Sequence, residues 1–157
     1  MTDFISLCIK NDITNIKKLL KNGFNNLDYV NEFGYTAAHY ICFYGYIELM
    51  DFLKLKIDLE IKNNLGKTPF LISVERNHYH MVFLLLNIVD ISIVDNNGEN
   101  ALIKACENDN LSIIKLLLST NNENEIWFTI EDIKKLYQYA LKYNFINISD
   151  YLKLIFE

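Results

Sequence analysis

The 157-residue sequence predicts an all-α solenoid of stacked helix-turn-helix units joined by β-turn loops, and three observations carry that expectation. First, the chain matches itself at a fixed offset. Asn31-Glu-Phe-Gly34-Tyr-Thr36-Ala-Ala falls on Asn63-Asn-Leu-Gly66-Lys-Thr68-Pro-Phe, and both fall on Asp95-Asn-Asn-Gly98-Glu-Asn100-Ala-Leu, 32 residues apart each time. Second, each match is followed by apolar residues at i, i+3 and i+4, the spacing of one buried helical face. These are Leu49, Met50, Phe52 and Leu53, then Met81, Val82, Leu84 and Leu85, then Ile113, Ile114, Leu116 and Leu117. Third, 51% of residues are apolar and 22% charged, with five Gly and one Pro. That leaves about 80 apolar residues for a core and excludes disordered or collagen-like chains, which need less apolar surface or far more Gly and Pro.

The elements of one unit follow in order. Asn31, Asn63 and Asp95 hold the first position, and Gly34, Gly66 and Gly98 the fourth, of a tight turn, the residue preference of a type I β-turn. Two residues later Thr36, Thr68 and Asn100 supply a side-chain oxygen to cap the free N–H groups of a new helix. The single proline, Pro69, stands at the first helical position, where its missing N–H costs nothing. A short first helix breaks at Gly45, Asn77 or Asp109, and an antiparallel second helix ends near Lys54, Leu86 or Leu118.

These residues resemble the ankyrin repeat, whose signature is an Asp-x-x-Gly-x-Thr-Pro-Leu-His core, a Gly-His break and an Ile-Val-x-Leu-Leu-Leu second helix. Gly34-Tyr-Thr36-Ala-Ala-His39 with Gly45-Tyr-Ile-Glu48 is one copy. Gly66-Lys-Thr68-Pro69-Phe with Asn77-His78 through Leu86 is a second, and Gly98-Glu-Asn100-Ala-Leu102 with Ile113 to Leu118 a third. Before them, Asn15-Ile-Lys-Lys-Leu-Leu-Lys-Asn-Gly23 is similar to a second helix and its Gly terminator. After them, Ala140-Leu-Lys-Tyr-Asn144-Phe-Ile146 to Leu152 is similar to a final, degraded copy. Departures are Ala38 for Leu, Leu71 and Ile103 for His, and an insert, Ser119 to Thr129, that should loosen the last hairpin. The resemblance implies one domain of about five helix pairs, with terminal pairs that show an outer face to water. Its parts are an N-terminal cap (1–28), full repeats (29–61, 62–93, 94–120) and a C-terminal cap (121–157). Met1 and the amphipathic stretch Ile146 to Phe156 suggest a complete chain.

A net charge of −5 argues against duplex DNA or an anionic membrane as ligand, since both need a clustered positive field. The acidity is uneven. From Asp95 to Asp132, eight acids (Asp95, Glu99, Glu107, Asp109, Glu123, Glu125, Glu131, Asp132) face Lys104 and Lys115, a local charge of −6. Fourteen Lys to one Arg marks an AT-biased coding sequence. No basic segment follows Met1, and the longest apolar run, Met81 to Leu86, is far short of the about 20 residues a bilayer needs. Neither a signal peptide nor a membrane span is expected. Cys8, Cys42 and Cys106 cannot all pair and lack zinc-site spacing. Cys42 and Cys106 share one position in repeats two units apart, beyond a disulfide's reach of about 7 Å. A reducing, intracellular setting, cytoplasm and/or nucleus, is expected.

Candidate chemistry dissolves on inspection. Gly66-Lys67-Thr68 imitates the end of a phosphate-binding loop, but the first glycine of that motif would fall at Ile61. His78-Tyr-His80 lies close to Glu75, yet residues two apart on a helix point in different directions, which argues against a metal. The resemblance implies for His39 a tie between neighbouring turns. No Ser/His/Asp set, HExxH or spaced carboxylate pair stands out, so neither an enzyme nor a cofactor is expected.

In stacks of the kind this chain resembles, the middle of the turn and the end of the first helix line a concave surface. Those positions hold Glu32, Phe33, Tyr35, Phe43 and Tyr44, then Asn64, Leu65, Lys67, Glu75 and Arg76, then Asn96, Asn97, Glu99, Glu107 and Asn108. The groove runs from aromatic to acidic. Exposed aromatics cost solubility unless covered, and aromatics with Arg dominate interface energetics. The expected partner-binding residues are therefore Glu32, Phe33, Tyr35, Phe43, Tyr44, Leu65, Lys67, Arg76, Glu99 and Glu107. Phe33, Tyr35, Phe43, Tyr44 and Arg76 would anchor a protein, and Glu99 and Glu107 would meet basic residues on it. Alternatively, some rings refill space left by Ala37 and Ala38. The function expected is non-catalytic protein recognition by a rigid monomer, an adaptor or scaffold binding neither nucleic acid nor membrane. The alternative is a stoichiometric regulator or inhibitor of an enzyme such as a protein kinase, since some ankyrin-only proteins of this size are similar to inhibitors of cyclin-dependent kinases.

Overall fold

The computed structural model describes residues 4–121 and 126–156, without the side chain of residue 156. The expectations resting on Met1, Glu123 and Glu125, and on the middle of the insert, lie outside these residues. Among the described residues ten α-helices form five antiparallel pairs and no strand occurs. The pairs are α1 Phe4–Ile9 with α2 Ile13–Lys21, α3 Ala37–Tyr44 with α4 Ile47–Leu53, and α5 Pro69–Glu75 with α6 Tyr79–Leu85. They continue with α7 Ala101–Glu107 and α8 Leu111–Leu118, then α9 Ile130–Lys142 and α10 Ile146–Phe156.

Local chemistry starts and stops these helices as the residues dictate. Thr68 Oγ1 accepts the Leu71 N–H at 3.3 Å and Asn100 Oδ1 accepts the Ile103 N–H at 3.1 Å, each closing a free N-terminal donor. Thr129 and Asp132 cap one another, the carboxylate accepting the Thr129 N–H at 2.9 Å. Every pair turns on a residue with positive φ: Asn11 (53°), Gly45 (70°), Asn77 (65°), Asp109 (50°) and Asn144 (60°). Asn and Asp enter this left-handed region more readily than other side chains because they can bond locally.

Packing then builds two layers. The first helices α1, α3, α5, α7 and α9 lie in succession, and α4, α6 and α8 form a second, looser row. Small residues at the crossings (Ala37, Ala38, Cys42, Ala101, Ala105 and Cys106, all buried) let the first helices approach. Most of the predicted second-helix face is core: Leu49, Met50, Leu53, Met81, Val82, Leu85, Ile113, Ile114 and Leu117 are fully enclosed, whereas Phe52, Leu84 and Leu116 are only half-buried at its margin. Burial drives the Cys42 thiol well above its ordinary pKa, and burial with Asp109 and Glu107 nearby pushes Cys106 up to about 12. These thiols are packing residues without nucleophilic character. The end pairs expose polar residues, Lys18 and Lys21 on α2 and Glu131, Lys134, Lys135 and Gln138 on α9, while Ile130, Leu141, Ile146 and Leu154 of the last pair are exposed as well. Among the described residues no helix is long and apolar enough to cross a membrane.

Candidate functional site

The surface starts from one turn built three times. Asn31 Oδ1 accepts the N–H groups of Phe33 (3.0 Å) and Tyr35 (2.9 Å), and Asn63 Oδ1 those of Leu65 (2.9 Å) and Lys67 (3.0 Å). Asp95 Oδ1 does the same for Asn97 (2.9 Å) and Glu99 (3.1 Å). Neighbouring turns are laced together. The Asn64 N–H donates to the Phe33 carbonyl at 3.1 Å, and the Asn96 N–H to that of Leu65 at 3.0 Å. Asn64 Nδ2 donates to the Glu32 carbonyl and Asn96 Nδ2 to the Asn64 carbonyl, each at 3.0 Å. Gly34 is needed twice over, since its φ is +76° and a Cβ there would stand 2.7 Å from the Asn64 nitrogen. Phe33 and Leu65, the residues before Gly34 and Gly66, are held at the tips of this row with 60% and 56% of their surface exposed.

Two histidines join the first and second repeats in opposite directions. His39 Nδ1 accepts the Thr36 N–H at 3.0 Å, and its Nε2–H donates to the Lys67 carbonyl at 3.0 Å. Burial pushes the His39 pKa down to about 4, against the opposing pull of the Lys67 carbonyl, so the ring is neutral near pH 7. His78 Nε2–H donates to the Phe43 carbonyl at 3.0 Å. Neither histidine is arranged for metal binding, and no group of three or more metal-ligating side chains occurs among the described residues.

The predicted residues divide by what they touch. Glu32, Phe33, Tyr44, Leu65 and Arg76 are exposed. Tyr35 is half-buried against the His39 and Tyr40 rings, at 5.3 and 5.4 Å, and belongs to the floor of the turn. Phe43 is half-buried too, with the Arg76 guanidinium 3.7 Å from its centroid and Tyr44 edge-on at 5.1 Å. Tyr44 stacks on Tyr46 at 5.3 Å, and Tyr46 donates its hydroxyl to the Ile9 carbonyl at 3.2 Å. The aromatic end is thus one continuous patch from Phe43 to the N-terminal cap, with Arg76 as its lid. Lys67 is tied to Glu75 at 2.8 Å.

Glu99 and Glu107 are also brought together, by a residue the sequence reading missed. The buried Lys104 ammonium touches Glu99 and stands 3.3 Å from Asp95 Oδ2 and 3.5 Å from Glu107 Oε2. Burial works against its charge, but the three carboxylates outweigh that and lift its pKa above the ordinary lysine value. Burial likewise opposes the Asp95 carboxylate, yet the N–H groups of Glu99 and Asn97 and the Lys104 ammonium hold it below its usual value. The signal for Lys104 was the repeat itself. It occupies the position of Tyr40, whose hydroxyl accepts from Asn31 Nδ2 at 3.0 Å, and of Ile72, opposite which Asn63 Nδ2 has no hydrogen-bond partner. Tyr139 was missed as well. Its hydroxyl lies 3.4 Å from Glu107 Oε1, at the same offset of 32 that relates Phe43, Glu75 and Glu107. Burial and the Glu107 charge push its phenol up to about 12.

Five stacked helix pairs, the middle three laced along a row of β-turns, define a helical-repeat solenoid. A family model described as ankyrin repeats, three copies, matches residues 4–93, 47–126 and 71–154, and the chain belongs to the ankyrin repeat family. A Rickettsia felis protein named as an ankyrin repeat protein is 34% identical over 111 residues, or 68% of this chain. The chain spans 36% of that relative's length. Ankyrin repeats are in general protein–protein interaction modules without catalytic activity.

Proposed function

We propose that this chain is a non-catalytic adaptor or scaffold, monomeric and resident in the cytoplasm or nucleus, that takes a protein partner on its turn-and-first-helix face. The observation that carries the reading is the exposure of Phe33 (60%), Leu65 (56%) and Tyr44 (43%) on a backbone fixed from both sides by hydrogen bonds. Covering such side chains gains about 25 cal/mol per Å² of apolar surface. A row already ordered by its own turns loses little entropy on docking.

The test is affinity capture from native lysate with the full chain beside a Phe33→Ala/Leu65→Ala variant of unchanged thermal unfolding. Loss of a protein set with the variant supports the surface, and identical sets from both samples refute it. An enzyme captured one-to-one and silenced by the chain would turn the scaffold reading into that of a stoichiometric regulator.

A further inference from the structure

We infer that the edge formed by α7 and α9 docks an arginine-bearing segment of the partner, gripped between the rings of Tyr139 and Tyr143 and the Glu107 carboxylate. The inference rests on the protein-binding reading above and adds the chemistry of what is bound.

Charge complementarity chooses the occupant. Three carboxylates, on Asp95, Glu99 and Glu107, share one Lys104 ammonium. That leaves two negative charges without a cation of their own, and Asp109 adds another at the end of α7. Beside this surplus stand aromatic rings. Tyr139 reaches Glu107 through its hydroxyl at 3.4 Å, and its ring lies 4.5 Å from that of Tyr143, which is 49% exposed. The rings are available because α9 outruns its counterparts. The left-handed break falls at Asn144, later than the repeat offset from Asp109 would put it, so Tyr143, which caps α9, stands past the level of the end of α7.

A guanidinium fits this combination better than an ammonium. It is planar, stacks on a ring face and forks onto a carboxylate at the same time, whereas lysine offers a strongly hydrated point charge. The chain shows the stacking itself, with the Arg76 guanidinium 3.7 Å from the Phe43 centroid at the equivalent helix ends of the first two full repeats. Tyr143 already draws a cation, the exposed Lys142 ammonium 5.0 Å from its centroid. Lys142 is the competitor an arginine displaces.

The experiment is an NMR titration of the isotopically labelled full chain with an acetylated, amidated hexa-arginine peptide, with hexa-lysine and hexa-citrulline as comparisons. Amide shifts are expected to centre on Glu107, Tyr139 and Tyr143, with arginine bound more tightly than lysine and citrulline not bound. Tyr143→Ala should weaken hexa-arginine by about threefold to tenfold and hexa-lysine by less, which lowers the arginine-to-lysine ratio. Lys142→Ala should tighten it. Shifts spread evenly over all surface acids, or an arginine-to-lysine ratio unchanged by Tyr143→Ala, overturn the inference. The Phe33→Ala/Leu65→Ala variant should bind the peptide as wild type does. Failure here with capture intact therefore removes only this inference, and failed capture with the peptide bound removes the Phe33–Leu65 surface.

Discussion

His39 carries its proton on Nε2, because the Lys67 carbonyl facing that atom can only accept and Nδ1 receives the Thr36 N–H. Charging the ring would place a second proton against that N–H in a buried site. The folded-state pKa of about 4 lies below the ordinary 6.5, so between these values the unfolded chain binds more protons than the folded one. Stability is therefore complete above about pH 6.5 and is lost as pH falls toward about 4, by on the order of 3 kcal/mol at most. His39→Leu, which copies Leu71 at the matching position, should flatten that slope while costing about 1–3 kcal/mol near neutrality through the lost ties. Urea unfolding near pH 7 and at about pH 4.5 reads both effects. Equal acid losses in variant and wild type would clear His39 of the linkage. Asp95 acts in a lower window. Its depressed carboxyl contributes stability above the ordinary carboxylate value of 3.8, lost only as pH falls through the folded value.

The five helix pairs use one joint, a residue in the left-handed region, yet glycine fills it only at Gly45. The reason is packing as well as φ: a Cβ on Gly45 would stand 2.9 Å from His78 Nδ1. Gly45→Ala should therefore cost about 2–3 kcal/mol, for the left-handed alanine and the displaced His78 tie, against about 1 kcal/mol for Asn77→Ala. Denaturant midpoints give the comparison, and equal costs would show that His78 does not impose the glycine. The same contrast explains what was legible in the sequence. Turns, caps, breaks and second-helix faces are local, so Asn31, Thr68, Pro69 and Leu49 announced them, and repetition at a fixed offset announced the stack. Lys104 was hidden because a buried lysine contradicts the average fate of its side chain, and only the comparison with Tyr40 and Ile72 gives it away. Tyr139 was hidden by the insert, which disguises the persistence of the 32-residue offset from Glu107. That Arg76 lies on Phe43, which makes one aromatic patch of two predicted anchors, depends on how repeats stack, and no single repeat encodes that.

On the scale of the molecule, ties are spread unevenly along the stack. His39, His78 and Asn64 join the first and second full repeats. Asn96, Asn108 and Lys62 join the second and third, Asn108 Nδ2 reaching the Glu75 carbonyl at 2.8 Å and Lys62 Nζ the Val94 carbonyl at 3.1 Å. The pair α9 and α10 joins the stack through α9 packed on α7, the long Tyr139–Glu107 contact and the Lys115 ammonium of α8, 4.9 Å from the Tyr151 centroid in α10. A stack whose units touch only neighbours opens unit by unit from its weakest joint. Native-state hydrogen exchange should show α5 the most protected first helix and α9 and α10 exchanging sooner. Equal protection throughout would mean that the stack opens as a single cooperative unit.

The ties made by His39, His78, Asn64, Asn96 and Asn108 end on main-chain carbonyl oxygens. A carbonyl is present whatever side chain the residue bears, so positions 32, 43, 67 and 75 can be rewritten without unfastening the neighbour that holds them. Position 32 is exposed, and 43, 67 and 75 lie half-buried at the edge of the same surface. Under the recognition proposed above, substitution at these positions can therefore alter what the surface meets while its joints stay closed.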